Sequence, residues 1–269
     1  MRPVIALLTD FGTRDHYAGT MKGVALGICP DATIVDITHE IPPQDVMTGA
    51  LELGASYKYF PAGTIFLAVV DPGVGSARRG IAADAGGYRF VAPDNGVLTV
   101  ALKESAPKRV VELTERRYMR PTVSCTFEGR DRFAPVAAWL AKDIELTELG
   151  PTLTSWRVLS IPEPSTTVDE IVAEVLLVDR FGNLITNVDR RTFEQFAGDG
   201  PLAVTAGDHV VGTIVSTYSD AHRGSVCALF GSSDHLEVAV NGGSAAQALQ
   251  LGRGARIVIS RSERPDRSC

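Results

Sequence analysis

The sequence of 269 residues has few cysteines, no long apolar run and no excess of positive charge. Its four cysteines lie far apart without a C-x-x-C pair, so neither a zinc site nor a dithiol redox motif is predicted. The net charge of −6 argues against nucleic-acid binding and against docking on an anionic membrane. The apolar stretch before Asp10 is too short for a signal-peptide core or a membrane span. We therefore expect a reduced, cytoplasmic protein without a nucleic-acid or membrane partner.

Several common catalytic motifs are also missing. The stretch DPGVGS at 71–76 lacks the spacing of a P-loop, and no G-x-G-x-x-G follows the first apolar run. The chain has no G-x-S-x-G elbow, no H-E-x-x-H and no tight histidine cluster. Phosphate binding by a glycine-rich loop, serine-esterase chemistry and zinc catalysis are therefore not predicted, and we expect no metal site.

Hydrophobic residues make up 45% of the chain and charged residues 22%, as in ordinary globular proteins. Alternating strand-like and helix-like segments predict an N-terminal α/β domain with a mostly parallel sheet over 1–160. The segment 161–170 is rich in Pro, Ser and Thr and is interpreted as a linker. Short β-rich runs punctuated by glycine predict a smaller antiparallel β-barrel over 171–262, followed by a charged, frayed tail at 263–269.

Hydrophobic periodicity and breaker residues locate the individual elements. In the first domain we predict strands at 4–9, 33–37, 64–70, 89–92 and 110–112, and helices at 15–28, 45–59, 129–142 and after Asn95. In the second we predict strands at 171–178, 202–205, 209–216, 225–230, 236–240 and 256–260, with one short helix at 244–251.

Polar residues follow three predicted strands, where parallel α/β sheets bind their ligands. They are Asp10, His39 with Glu40, and Asp71, which Arg78 follows closely. Each has an ordinary structural explanation: a helix cap for Asp10, a satisfied core histidine, and a surface ion pair for Asp71. A further cluster, Glu128, Arg130 and Asp131, precedes a predicted helix, where Arg130 and Asp131 are expected to form a local ion pair. Carboxylates without phosphate-binding motifs favour a substrate that has both a positive charge and hydroxyl groups. A ribose diol, for example, can donate two hydrogen bonds to one carboxylate.

Seven motifs in fixed order extend across nearly the whole chain. They read TDFGTRDHYAG, DITHEIPPQD, VVDPGVGSARR, APDNGVLT, TFEGRDRFAP, VDRFGNLITN and LEVAVNGGSAA. In this order they resemble the S-adenosyl-L-methionine (SAM) hydroxide adenosyltransferases, the adenosine-forming SAM hydrolases, which are related to the fluorinases and chlorinases. The resemblance implies an α/β domain followed by a β-barrel domain, and a homotrimer whose active sites lie between subunits. It also implies that water attacks the ribose 5′ carbon of SAM without a metal or added cofactor.

The resemblance also implies roles for individual residues. Asp71, Arg78 and Glu128 match the group that activates water. The matched substrate-binding positions are Asp10 for the ribose hydroxyls, Asp15 and Asp179 for the methionine amino group, Ser232 for its carboxylate, Phe127 and Phe181 around the nucleoside, Asn183 of the FGN motif, Tyr218 for adenine stacking, and the backbone near Val240 and Gly242 for the adenine edge. Related halogenases have a tyrosine at the position of Asp71, and an acid there repels a halide, so halogenation is not expected.

One position departs from the family pattern, which reads TFHGRD where this chain has Glu128. A glutamate can accept a proton, but it adds negative charge beside Asp71. Either Glu128 shares a proton with Asp71 and acts as a base, or it hydrogen-bonds to Arg78 and orients it. Two alternatives to hydrolysis follow: a SAM-binding protein with little turnover, and an enzyme that uses another nucleophile or another adenosyl sulfonium.

Overall fold

The computed structural model describes residues 2–198, 201–212 and 214–261. The chain folds into two compact units, one covering Met1–Ser160 and the other beginning at Ile161. Within the described ranges, no helix is both long enough and apolar enough to cross a membrane.

The first unit is built on a six-stranded sheet in the order β2-β1-β3-β5-β4-β6. Only β4 runs antiparallel to its two neighbours, which confirms the predicted mostly parallel sheet. The strands are β1 (Val4–Thr9), β2 (Thr33–Thr38), β3 (Ile65–Val69), β4 (Gly80–Ala85), β5 (Tyr88–Pro93) and β6 (Pro107–Glu112), and the α-helices are α1 (Tyr17–Ile28), α2 (Val46–Ser56), α3 (Thr99–Glu104) and α4 (Ala134–Leu140).

Both faces of this sheet are buried. In β1, Ile5 and Leu7 pack into the same core as Met21 of α1, whereas Ala6 and Leu8 pack with Leu53 of α2 on the other face. Such double burial explains why β1 reads as one continuous apolar run. The polar residues at the strand ends therefore lie outside a closed core.

The helices begin where local capping chemistry allows. Asp45 caps α2, because its carboxylate accepts a 3.0 Å hydrogen bond from the backbone N–H of Thr48. Asp10 and Asp15 do not cap α1, which starts at Tyr17 after His16 without a side-chain cap. The capping explanation for Asp10 is therefore wrong.

The second unit is an antiparallel sheet whose main path runs β11-β10-β14-β8-β9-β13-β12. The end strands β11 and β12 also lie close to each other, so the sheet is nearly closed and barrel-like, as predicted. Its strands are β7 (Ser165–Thr166), β8 (Glu170–Val178), β9 (Leu184–Asp189), β10 (Leu202–Ala206), β11 (His209–Val211), β12 (Val226–Phe230), β13 (His235–Val240) and β14 (Arg256–Arg261), with helices α5 (Arg190–Ala197) and α6 (Ala245–Leu249).

Three features of this unit differ from the expected layout. The segment interpreted as a linker contains β7, which pairs antiparallel with β8. The strand predicted over 209–216 ends at Val211. β9 and α5 were not predicted at all. The expected tail at 263–269 lies outside the described residues.

Candidate active site

Two carboxylates meet at the carboxyl edge of the first sheet because β1 and β3 are adjacent and in register. Thr9, the last residue of β1, pairs with Val69, the last residue of β3, so the two strands end at the same level. Asp10 and Asp71 follow these two strand ends. The backbone N–H of Gln44 donates a 2.8 Å hydrogen bond to Asp10 Oδ2. Burial raises the pKa of Asp10, the Gln44 hydrogen bond opposes this, and the charge of Asp71 adds to the increase. The register of the sheet thus sets the electrostatic coupling of the two acids.

Arg78 joins Asp71 to Glu128. Arg78 Nε donates to Asp71 Oδ1 at 2.8 Å, and its Nη2 donates both to Asp71 Oδ2 and to Glu128 Oε2, the latter at 2.5 Å. The three side chains are only 5%, 11% and 8% exposed for Asp71, Arg78 and Glu128 respectively. The fork geometry of a guanidinium suits such two-point contact with a carboxylate. We call these three residues the buried triad.

The environment of Arg78 keeps it charged. Burial alone would lower the pKa of its guanidinium, but the hydrogen bonds and charges of Asp71 and Glu128 outweigh burial and raise that pKa. The ring of Phe133 covers the group from one side, with Arg78 Cζ 5.1 Å from the ring centroid. The triad therefore contains a permanently cationic centre between two acids.

Glu128 is positioned by an irregular turn. It immediately precedes a short π-helical segment, Gly129–Phe133, that leads into α4. Arg132, in that segment, places its Nη1 3.5 Å from Glu128 Oε2. π-Helical turns often occur at functional sites, because the extra residue redirects a side chain.

A cleft of about 310 Å³ is lined by two members of the buried triad, Asp71 and Glu128. An aromatic cluster forms one wall: the Phe127 ring centroid is 6.0 Å from Phe11 and 5.0 Å from Tyr17, both edge-on. Asp10, Asp71 and Glu128 line the same cleft. The cleft thus combines apolar rings with carboxylates, the lining expected for a cationic nucleoside.

The loop from Asp71 to Arg78 is shaped by a close backbone contact. Gly75 has φ +77°, and a Cβ atom added there would lie 2.3 Å from the carbonyl oxygen of Cys125. Only glycine fits both the conformation and the space. The loop that carries Asp71 and Arg78 therefore packs directly against the segment preceding Glu128.

The second unit carries an open depression of about 490 Å³. It is lined by Phe181, Asn183, Tyr218, Val240, Gly242 and Gly243. Phe181 is 76% exposed, whereas phenylalanine side chains are usually buried. Four of the predicted binding residues therefore lie together on this surface.

Asp179 builds the turn that presents Phe181 and Asn183. Its Oδ1 accepts from the backbone N–H groups of both, at 2.9 and 2.8 Å, and its Oδ2 accepts from Asn183 Nδ2 at 2.9 Å. An aspartate that hydrogen-bonds to following N–H groups is a typical turn former. Asp179 therefore fixes the geometry of this part of the surface.

Tyr218 is anchored from behind by a buried acid. Its hydroxyl donates to Glu237 Oε1, and Glu237 is only 3% exposed. Burial raises the pKa of Glu237, the Tyr218 hydrogen bond partly opposes this, and the charge of Asp179 raises it further. Burial and the same hydrogen bond raise the pKa of Tyr218. The ring of Tyr218 is thus held by its hydroxyl in the depression.

Four predicted site residues line neither the cleft nor the depression among the described residues. They are Asp15 and Ser232, which are exposed, Asp179, which builds the turn before Asn183, and Arg78, which contacts Asp71 and Glu128. The structural explanations hold for two others. His39 is buried and its Nδ1 contacts Thr9 Oγ1 at 2.8 Å, while Arg130 pairs with Asp131 at 2.7 Å. No group of three or more His, Cys, Asp or Glu that could hold a metal occurs among the described residues.

Three residues near these surfaces were missed from the sequence. Arg132 stands four residues after Glu128, a spacing that can bring two side chains together on a helix. Tyr17 lies within the first quoted motif and joins the aromatic wall. Glu237 lies in LEVAVNGG, where an acid at an otherwise buried strand position was the available signal.

Comparison with known proteins gives a consistent result. The chain is 38% identical to the (R)-S-adenosyl-L-methionine hydrolase of Salinispora tropica, over 96% of this chain and 98% of that protein. It is 39% identical to the protein of the same name from Thermus thermophilus, over 96% and 99%. Proteins named fluorinase match at lower identity, for example 29% for one from an Actinoplanes species, over 97% and 98%.

A solved structure and two family models agree with these matches. The crystal structure of an uncharacterized conserved protein from Thermotoga maritima superposes with a TM-score of 0.90 at 37% identity, covering 96% of this chain and 100% of that one. The models of the SAM hydroxide adenosyltransferase N-terminal and C-terminal domains match residues 5–150 and 173–258. The chain therefore belongs to the SAM hydroxide adenosyltransferase family.

Proposed function

We propose that this protein hydrolyses SAM to adenosine and L-methionine by attack of water on the ribose 5′ carbon. The observation that carries the proposal is the buried triad, whose Asp71 and Glu128 line a cleft together with Asp10 and Phe127. Relatives named (R)-S-adenosyl-L-methionine hydrolase at 38% and 39% identity support the same reaction.

The reaction needs a positioned nucleophile more than an acid. Methionine leaves as a neutral thioether, so the leaving group requires no proton. The protein must hold water in line with the carbon–sulfur bond and accept its proton as the new carbon–oxygen bond forms. Positioning supplies up to ~7–11 kcal/mol in ideal intramolecular cases, and a general base contributes roughly 10²–10⁴-fold.

Within the triad we assign the base to Asp71. Arg78 contacts both of its oxygens, but each carboxylate oxygen has two acceptor positions, so capacity remains for water. Arg78 also stabilises the hydroxide character that develops during attack. The hydrogen bond from Arg78 to Glu128 favours an orienting role for Glu128 over a proton shared directly with Asp71.

The remaining assignments concern binding. Asp10 accepts hydrogen bonds from the ribose hydroxyls, and Phe127 packs against the nucleoside. On the other surface, Phe181, Asn183 and Tyr218 hold the nucleoside while the backbone near Val240 reads the adenine edge. The exposed Asp15 and Ser232, with Asp179, are assigned to the methionine end.

The proposal includes the assembly. Each of the two units carries only part of the predicted binding set, which supports a homotrimer that completes each site with a neighbouring subunit. A cytoplasmic location and a reaction without a metal or added cofactor belong to the same proposal.

The test is incubation of the purified protein with SAM in water enriched in heavy oxygen, followed by mass analysis. Adenosine labelled at the 5′ oxygen, with methionine released, supports direct attack by water. SAM that stays intact but bound overturns hydrolysis and favours a binding protein. A different adenosyl product would indicate another nucleophile.

A further inference from the structure

A second arginine stands behind the buried triad. Arg132 Nη1 is 3.5 Å from Glu128 Oε2, the same oxygen that Arg78 contacts. Its Cδ packs where β4 begins, since a Cβ added at Gly80 would lie 3.1 Å from that atom. Arg132 is not part of the cleft lining.

The hydrogen bonding of Arg132 is incomplete. The side chain is only 22% exposed, and its Nε is buried without a hydrogen-bond partner within the described ranges. A buried donor without a partner is unfavourable. The contact with Glu128 therefore compensates the guanidinium for part of the hydration that it loses on burial.

The contact between Arg132 and Glu128 also affects the balance of charges around the buried triad. Asp71 and Glu128 are two acids around Arg78, and Asp10 adds a third nearby carboxylate that interacts with Asp71. With Arg78 alone the buried triad has two acids and one cation, so it carries a net negative charge. Arg132 supplies the second cation that balances the triad, and Asp10 remains as a further acid beside it.

We propose that Arg132 is a positioning residue that holds the Glu128 carboxylate in place and directed at Arg78. Arg132 does not touch the substrate and acts only through Glu128. The inference rests on the proposed function, because the triad is taken to activate water. It follows that Arg132 matters to turnover only while residue 128 carries a negative charge.

A double-mutant cycle tests this dependence. Arg132→Leu removes the charge and Glu128→Gln removes that of its partner with little change in shape. We expect Arg132→Leu to lower kcat about tenfold with KM little changed, and to have less than about a twofold effect in the Glu128→Gln background. Arg132→Lys retains the charge and should restore most of the lost kcat. Arg117→Leu, which removes an exposed arginine elsewhere in the unit, is the control for loss of charge.

Rescue by lysine provides the readout that a merely structural role would not move. Arg132→Lys keeps the positive charge that Arg132→Leu removes, so its kcat should stay close to that of the unmodified protein only while Glu128 is present. An equal loss of kcat in both backgrounds, or no recovery of kcat in Arg132→Lys, would mean that Arg132 is merely structural and would overturn the proposal.

Failure of the proposed function is distinguishable. If the unmodified protein releases no adenosine, the proposed hydrolysis is wrong. The four proteins of the double-mutant cycle are then compared by urea unfolding at neutral and acidic pH. Coupling between residues 128 and 132 that disappears in acid supports the charge-dependent contact. Additive unfolding free energies at neutral pH overturn it.

Discussion

Arg78 and Glu128, which are 50 positions apart in the sequence, are joined by a 2.5 Å hydrogen bond from Nη2 to Oε2. The same guanidinium group holds Asp71 through two further bonds. One cation therefore sets the positions of two acids from different parts of the chain. Substitutions that remove one charge from this group should lower both turnover and stability, because the partner left behind is buried.

Replacing Asp71 by Asn should reduce kcat by roughly 10²–10⁴-fold, because the amide cannot accept the proton of the attacking water. KM should change little, since Asp71 contacts the nucleophile rather than the nucleoside. Release of adenosine under saturating SAM is the measurement. Asp234→Asn, in an exposed ion pair with Arg190, is the matched control and should retain full activity. Unchanged kcat in Asp71→Asn would remove Asp71 from the mechanism.

Replacing Phe181 by Ala should separate binding from stability. The side chain is 76% exposed, so the free energy of unfolding should change by no more than about 0.5 kcal/mol. Loss of an aromatic face for the nucleoside should raise KM by about tenfold or more, as base stacking is worth ~1–3 kcal/mol. Steady-state kinetics and urea unfolding measure the two effects.

Phe196 supplies the contrast for this experiment. It is 4% exposed in the core of the same unit, and Phe196→Ala should cost about 3–5 kcal/mol of stability. If Phe181→Ala proves as destabilising as Phe196→Ala, Phe181 has a packing role and its exposure has been misinterpreted.

Replacing Gly75 by Ala should displace the loop that carries Asp71 and Arg78. Both Gly75 and Gly63 have positive φ, so an alanine at either costs roughly 1–2 kcal/mol from backbone strain. Only at Gly75 does the new Cβ collide with a carbonyl oxygen, whereas at Gly63 nothing lies within 4 Å. Gly75→Ala should therefore lose more stability than Gly63→Ala and also lose kcat. Equal losses of stability with intact kcat would show that the contact with Cys125 is unimportant.

The buried acid behind Tyr218 should give the protein a characteristic pH dependence. Burial raises the pKa of Glu237 above its ordinary value of 4.5, so the folded state binds a proton more tightly than the unfolded state. Its contribution to stability is fully present below that ordinary value and is lost as pH rises through the raised pKa. Glu237→Gln should remove this loss of stability, so its free energy of unfolding, measured with urea, should fall less steeply as pH rises above 4.5. Parallel curves for the two proteins would contradict the raised pKa.

Strands with strong patterns were predictable from the sequence, and weakly patterned ones were not. β1 was predicted at its observed bounds because six consecutive residues are apolar or β-branched. β4 was missed because GIAADA is rich in alanine and glycine, which have low strand propensity. In the second unit, β9 was hidden by its polar residues, and α5 by its shortness and its two arginines. In these cases tertiary pairing decides the structure.

The site was predictable where it depends on strand ends. Parallel strands deliver their last residues to one edge, so Asp10 and Asp71 were predicted as candidate ligand-binding residues there. The partnership of Glu128 with Arg132 was not, because it depends on a π-helical turn that leaves no clear sequence pattern. Likewise, the anchoring of Tyr218 by Glu237 requires knowing which side of β13 the carboxylate occupies.

The single antiparallel strand of the first sheet determines how this site can change. Since β4 starts at the edge where β3 ends, the chain passes from Asp71 to Arg78 without crossing the sheet. A parallel successor would have required a helix and a return from the opposite edge. The two residues therefore lie on a short loop that β3 and β4 hold at its two ends. Changes in the sequence of that loop can alter which nucleophile the site positions, while the core of the sheet stays the same.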